Sequence, residues 1–127
     1  HLRRLLALQP DHAHAYNALG YSLADRGMRL DEAEALVMRA LELQPDDPYI
    51  MDSVGWVRFR RGDAAGALPH LERAHGLRAD PEIAAHLGEV LWALGRSADA
   101  RKIWDAALAA DPKNRVLVDT VKRLTGK

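Results

Sequence analysis

The chain of 127 residues has no cysteine, one phenylalanine and only three tryptophans and three tyrosines. Without cysteine there are no disulfides and no thiolate metal sites, and the compartment is left open, because such a chain tolerates oxidising and reducing surroundings alike. Charge of one sign is also missing: 18 basic residues face 18 acidic ones, for a formal net charge of +0. That balance gives no electrostatic reason to expect nucleic acid or an anionic membrane surface as partner. No apolar run approaches the roughly 20 residues that a membrane-spanning helix needs, so direct membrane insertion is not expected. No glycine-rich phosphate loop, nucleophile elbow or His-Glu-x-x-His motif is present, and no secretory signal stands at the start. The first residue is His1 rather than Met, so a preceding segment is expected.

What is present is a period. Leu19-Gly20, Val54-Gly55 and Leu87-Gly88 repeat a Leu/Val-Gly pair, with glycines 35 and 33 residues apart. Alanines follow in step, Ala33, Ala67 and Ala100, then Ala40, Ala74 and Ala107, at intervals of 34 and 33 in both series. Turn signals cut the chain in the same phase. Gln9-Pro10-Asp11, Pro45-Asp46-Asp47-Pro48, Asp80-Pro81 and Asp111-Pro112 separate the units. Arg26-Gly27, Arg61-Gly62 and Leu94-Gly95 divide each unit in two, with glycine suited to a left-handed helix end. The pattern predicts helices over about 12–26, 31–43, 47–61, 64–77, 80–94 and 97–109, with Asp31, Asp63 and Ser97 as N-caps of the second helices. Two helices approach closely only where something small sits at the crossing. Gly20, Gly55 and Gly88 are therefore expected to face Ala33, Ala67 and Ala100. The second helix of the middle unit holds Gly66, Gly76 and Pro69 and reads as weak.

These phased copies resemble the tetratricopeptide-repeat (TPR) family, whose pattern runs W-x2-L-G-x2-Y, then A-x3-F, A and P. The first copy carries Tyr16, Leu19, Gly20, Leu23, Ala33, Val37, Ala40 and Pro45. The second departs at Arg58, where an aromatic is expected, and at Ala79, where the pattern closes on proline; the third has Trp104 at the core aromatic position. The resemblance implies an all-α helix-turn-helix solenoid forming one array over residues 1–127. Three full repeats (11–45, 46–79 and 80–112) follow the end of a preceding one (1–10) and precede a capping helix (113–127). In that last helix Leu117, Val118, Val121 and Leu124 form one stripe, and Arg115, Asp119, Lys122 and Arg123 form the polar outer face that a terminal cap needs.

In a TPR stack the first helices line a concave groove, and the resemblance carries that role to Asn17 and Tyr21, then Asp52, Trp56, Phe59 and Arg60, then Glu89 and Trp92. Residues three and four apart share a helix face, so the spacing agrees. Trp56 and Trp92 on a solvated wall would anchor a bound peptide; the alternative is that they pack between neighbouring repeats. His86 lies near the groove's edge and is read as a pH-sensitive contact, not as a general base. A clamp for a peptide's C-terminal carboxylate would need several cations, and this wall offers Arg60 beside Asp25, Asp52, Glu82 and Glu89. The expected partner is therefore a protein or peptide with basic and apolar side chains. Scattered histidines with no cysteine do not make a metal site, and no metal, cofactor or enzymatic activity is expected. The other reading is a structural or oligomerisation module with no separate ligand. Leu2, Leu5, Leu6 and Leu8 present an apolar strip at the N-terminus, which favours self-association as a homodimer. The stretches Asn17–Arg26, Asp46–Val57 and Pro81–Trp92 are more closely similar to the C-terminal part of large proteobacterial multi-TPR outer-membrane lipoproteins. That similarity implies a periplasmic location at the outer membrane; the alternative is cytoplasmic.

Overall fold

The computed structural model describes residues 13–126. The stretch 1–12, with the partial repeat 1–10 and its proposed dimer contact, lies outside the described residues. Among these there are seven α-helices and no strands: α1 (Ala13–Asp25), α2 (Leu30–Leu43), α3 (Pro48–Arg60), α4 (Ala64–Leu77), α5 (Pro81–Ala93), α6 (Ser97–Ala110) and α7 (Arg115–Thr125). The chain is an all-α solenoid of helix pairs, as the repeat pattern implies.

Local chemistry sets the helix ends. α3 and α5 begin the same way, with an aspartate cap and proline in the first helical position, where its missing N–H costs nothing. The Asp47 carboxylate accepts from the Tyr49 and Ile50 amides at 2.8 and 3.3 Å, and Asp80 accepts from Glu82 and Ile83 at the same distances. Asp63 caps α4 through the Gly66 amide at 2.8 Å, and Asn114 caps α7 through Leu117 at 3.0 Å. The expectation fails for Asp31 and Ser97, which lie inside their helices. Arg29 and Arg96 stand at those two N-caps, and neither side chain bonds the helix end. The first helix of each pair closes on a left-handed glycine, Gly27, Gly62 or Gly95. In the middle pair Gly62 N–H donates to Phe59 and Asp63 N–H to Arg58, both at 2.9 Å, which satisfies two end carbonyls.

The core lies at the crossings. Ala33, Ala67 and Ala100 are fully buried. A Cβ added at Gly20 would stand 2.9 Å from the Ala33 carbonyl, and one at Gly55 3.2 Å from that of Ala67. In each pair the side chain four residues after the alanine also closes on the glycine: Val37, Leu71 and, in the third pair, Trp104. There the indole of Trp104, 1% exposed, fills the space next to Gly88. Gly88→Ala drives a methyl into that ring and is expected to cost about 2 kcal/mol or more despite alanine's better helix propensity. Gly76→Ala in α4, where a Cβ meets nothing within 4 Å, should instead add about 0.5–1 kcal/mol. Urea unfolding of the two variants checks the contrast. α4 itself persists through Pro69 because Ala67, Leu71 and Ala74 are completely buried, and tertiary packing outweighs the local penalty.

The first helices α1, α3 and α5 touch one another in sequence, and α7 continues the row against α5. The second helices α2, α4 and α6 bring no Cα atoms within 8 Å of each other among the described residues. A layer whose members touch lies on the inside of the curve, and a splayed layer lies outside. The concave face therefore belongs to α1, α3, α5 and α7. Leu117, Val121 and Leu124 of α7 join the core cluster around Trp104, Leu87 and Leu91.

Candidate functional site: a concave pocket over a buried polar chain

A pocket of about 250 Å³ opens on the concave face. Asn17, Ala18 and Tyr21 of α1 form one side, Tyr49, Asp52 and Ser53 of α3 the floor, and Asp80, Glu82 and His86 at the start of α5 the other side. The three helices meet in a chain of hydrogen bonds. Asp52, 6% exposed, holds the His86 Nδ1 at 2.9 and 3.0 Å from its two oxygens. The opposite ring nitrogen, Nε2, is 3.3 Å from the Tyr21 hydroxyl. The Trp56 indole stacks on the imidazole with centroids 4.2 Å apart.

These contacts correct three expectations. Trp56 is 5% exposed, so it is core between repeats and not an anchor on the groove wall. Its indole N–H is buried with no acceptor among the described residues, a cost that packing offsets. Asp52 is spent on His86. Glu89, 8% exposed, is held by Arg123 of α7 at 2.6 Å, so Arg123 does not belong to a free outer face either. The remaining predicted residues keep some access. Asn17 and Tyr21 are half-buried in the pocket wall, and Asn17 Oδ1 has no donor among the described residues. Phe59 lies 5.5 Å from the Trp56 ring, and Arg60 donates from Nε to the Ala24 carbonyl at 3.1 Å. Trp92 is half-buried, 5.6 Å from Trp104 and beneath the Arg101 guanidinium. The structure thus brings Asn17, Tyr21 and Asp52 to one pocket and leaves Phe59, Arg60 and Trp92 farther along the helices.

The sequence reading puts Ser53 and His86 at the groove's edge, where the structure makes them floor and wall, and takes Asp80 only as a turn signal. Asp52 stands three residues before its repeat glycine, Gly55, and His86 two before Gly88. The twist between repeats lays one over the other. A histidine at that phase, one repeat after an aspartate, is the signal that could have found the pair.

The electrostatics are those of a shared proton. Burial alone would lower the imidazole's pKa; the Asp52 carboxylate, its hydrogen bond, and then Glu89 and Glu82 outweigh it and raise His86 above 6.5. Burial pushes the Asp52 carboxyl up from 3.8 against the pull of His86. The two titrate as a unit. Burial, then Asp25, Asp52 and Glu82, push the Tyr21 phenol well above its usual range.

Two family models, both described as Tetratricopeptide repeat, match residues 58–123 and 1–48. The chain belongs to the tetratricopeptide-repeat family. A curated relative, the TPR repeat-containing protein PA4667 of Pseudomonas aeruginosa, is 53% identical over 125 residues, 98% of this chain. The chain spans 21% of that protein's length. Among solved structures, TTC0263, a thermophilic TPR protein of Thermus thermophilus, superposes with a TM-score of 0.81 at 24% identity, over 98% of this chain and 68% of that one. The first TPR of Spaghetti (RPAP3), bound to the HSP90 peptide SRMEEVD, gives 0.75 at 19% identity over 90% of each chain. Those two likenesses concern the fold. The TPR fold serves as a protein-interaction scaffold, and the RPAP3 domain holds a peptide.

Proposed function

We propose that this TPR array is a non-catalytic scaffold that holds a segment of another protein on the concave face of α1, α3 and α5. The observation that carries the reading is the open pocket at that face, where Tyr49 and Glu82 keep access to solvent while the helices beneath are fully packed. The contacts differ from the sequence's expectation: Asn17, Tyr21, Tyr49 and Glu82 meet the partner near the pocket, and Phe59, Arg60 and Trp92 extend the surface. Trp56, Asp52 and Glu89 act from within. Basic and apolar side chains on the partner fit carboxylates set beside aromatic rings.

A photo-crosslinking amino acid at Tyr49 or Arg60, on the concave layer, should join the full-length parent to one recurrent protein in its native cells. The same probe at exposed Glu72 on the outer helix α4 should not. Equal capture from Glu72 would sink the concave-face reading. The competing structural-module reading gains from the internal use of Trp56, Asp52 and Glu89, and it predicts no crosslink from either concave position. Tyr21, His86 and Asp52 share the outline of a nucleophile, base and orienting acid. The electrostatics oppose catalysis, since a phenol pushed above its usual pKa is a poorer nucleophile at neutral pH, not an activated one. We place the parent on the periplasmic side of the outer membrane on the strength of the lipoprotein resemblance alone, and self-association through residues 1–9 belongs to the same set of proposals.

A further inference from the structure

The back wall of the concave pocket is a hydrogen-bond chain whose polarity depends on one proton. The Asp52 carboxylate only accepts, so His86 Nδ1, facing both its oxygens, carries a hydrogen whether the ring is neutral or charged. The proton comes and goes at Nε2. With the ring neutral, Nε2 accepts from the Tyr21 hydroxyl, and the phenol oxygen offers only lone pairs to the pocket. With the ring charged, Nε2–H donates to that oxygen, and the Tyr21 hydrogen turns toward the pocket. Protonation therefore turns an accepting wall into a donating one and places a positive charge behind it.

The rest of the lining suits the accepting state. Glu82 keeps access to solvent, and Asp80 keeps its carboxylate at the rim with Oδ2 bonded to the Tyr49 hydroxyl at 3.2 Å. Asn17 Oδ1 is a buried acceptor with no donor among the described residues, on the same wall as Tyr21. The Tyr49 ring already carries one guanidinium, that of Arg78 at 5.7 Å from its centroid, so an aromatic face at this rim accepts a cation. The charged and titratable groups around His86 are Tyr21 and Asp25 from α1, Asp52 from α3, and Asp80, Glu82 and Glu89 at and along α5. Among the described residues, Glu89 alone of these carboxylates is matched by an arginine, Arg123 of α7. His86 is the one basic side chain among the described residues of the lining.

We propose that this pocket is the subsite for one lysine or arginine side chain of a peptide held on the concave face, and that a proton on His86 closes it to that side chain. The proposal rests on the concave-face reading above. With His86 neutral, the carboxylates of Asp52, Asp80 and Glu82 are hydrogen-bonded or solvated but have no cation within 4 Å among the described residues, and Tyr21 and Asn17 present acceptors to a cationic donor. With His86 charged, one carboxylate is cancelled and Tyr21 presents its hydrogen to a cation that has nothing to accept it. Binding the side chain and holding the proton compete, so the cation lowers the imidazole's proton affinity by the factor by which the proton weakens the cation.

The test is an NMR titration of this protein with acetyl-Leu-Arg-Leu-amide and with the same peptide carrying citrulline, which keeps arginine's shape and loses its charge. Both are run on either side of the His86 transition, followed by its own ring signals. The arginine peptide should shift Tyr49 and His86, and its dissociation constant should fall about fivefold as His86 loses its proton, a change set by one unit charge at short range. Citrulline should show no such step, His86→Gln should abolish it for arginine, and Glu82→Gln should weaken arginine binding at both ends. Equal binding of the two peptides, arginine affinity flat or falling as His86 deprotonates, or no shifts at all would overturn the subsite. Shifts confined to the Phe59–Trp92 end would remove the subsite while leaving the concave-face reading standing, which the crosslinks at Arg60 judge separately.

Discussion

Trp56→Ala should cost this domain about 3–5 kcal/mol, the range for deleting a buried aromatic side chain. The indole is 5% exposed, stacked on His86 and 5.5 Å from Phe59, in the layer that joins the first repeat to the second. The neighbours belong to rigid helices and cannot close the void. Trp56→Phe should cost clearly less, because it keeps a ring on His86 and deletes an N–H that has no acceptor among the described residues. Thermal and urea unfolding of both variants checks the order. A Trp56→Ala protein with unchanged stability would return the residue to the groove wall and contradict the packing described above.

Breaking the buried pair from one side comes next in size. Asp52→Ala should cost about 3 kcal/mol, because it strands an imidazole between Trp56 and Tyr21 with no carboxylate to hold its hydrogen. Replacing both partners with apolar residues of similar shape, Asp52→Leu with His86→Phe, should come far closer to the wild type, since the desolvation of both charges disappears together. The pH dependence has a definite sign. In the folded protein His86 is raised above 6.5 and Asp52 above 3.8, so the folded state binds more protons than the unfolded one. The pair's contribution from His86 is complete below about 6.5 and is lost as pH rises through its raised value. The wild type's stability advantage over His86→Gln should therefore shrink as pH rises from about 6.5 through the raised His86 value. An advantage over His86→Gln that grows over the same interval would reverse the assignment. Staying below Tyr21's own titration keeps the phenol out of the reading.

Much of the fold was legible because its signals are local. The spacing of Gly20, Gly55 and Gly88 against Ala33, Ala67 and Ala100 depends on one helix pair at a time, and the Asp-Pro starts of α3 and α5 depend on three residues. The candidate site was legible only in part, because it depends on how one repeat is rotated against the next. Periodicity places Asp52 and Trp56 on the inner face of α3. It cannot tell that α5 brings His86 close enough to cover both, or that α7 brings Arg123 to Glu89. Judged alone, Asp52 and Glu89 looked free to bind, and the structure pairs each with a residue of the next unit, His86 and Arg123. Trp104 shows the same limit at the core: its burial was expected, but not that its ring would take the space beside Gly88.

The bond between Tyr21 and His86 joins residues 65 positions apart, from the first helix pair to the third, with Asp52 of the second completing the chain. Solenoid stability is ordinarily a sum over units and their immediate neighbours, so unfolding can start at either end and stop at any boundary. A contact that skips a unit adds a next-nearest-neighbour energy to that sum. It penalises states in which the first pair has frayed while the other two remain folded, because fraying then also exposes the imidazole of the third. Hydrogen exchange in α1 should accordingly follow exchange in α5 more closely than a nearest-neighbour array allows, and Tyr21→Phe should let the first pair open on its own.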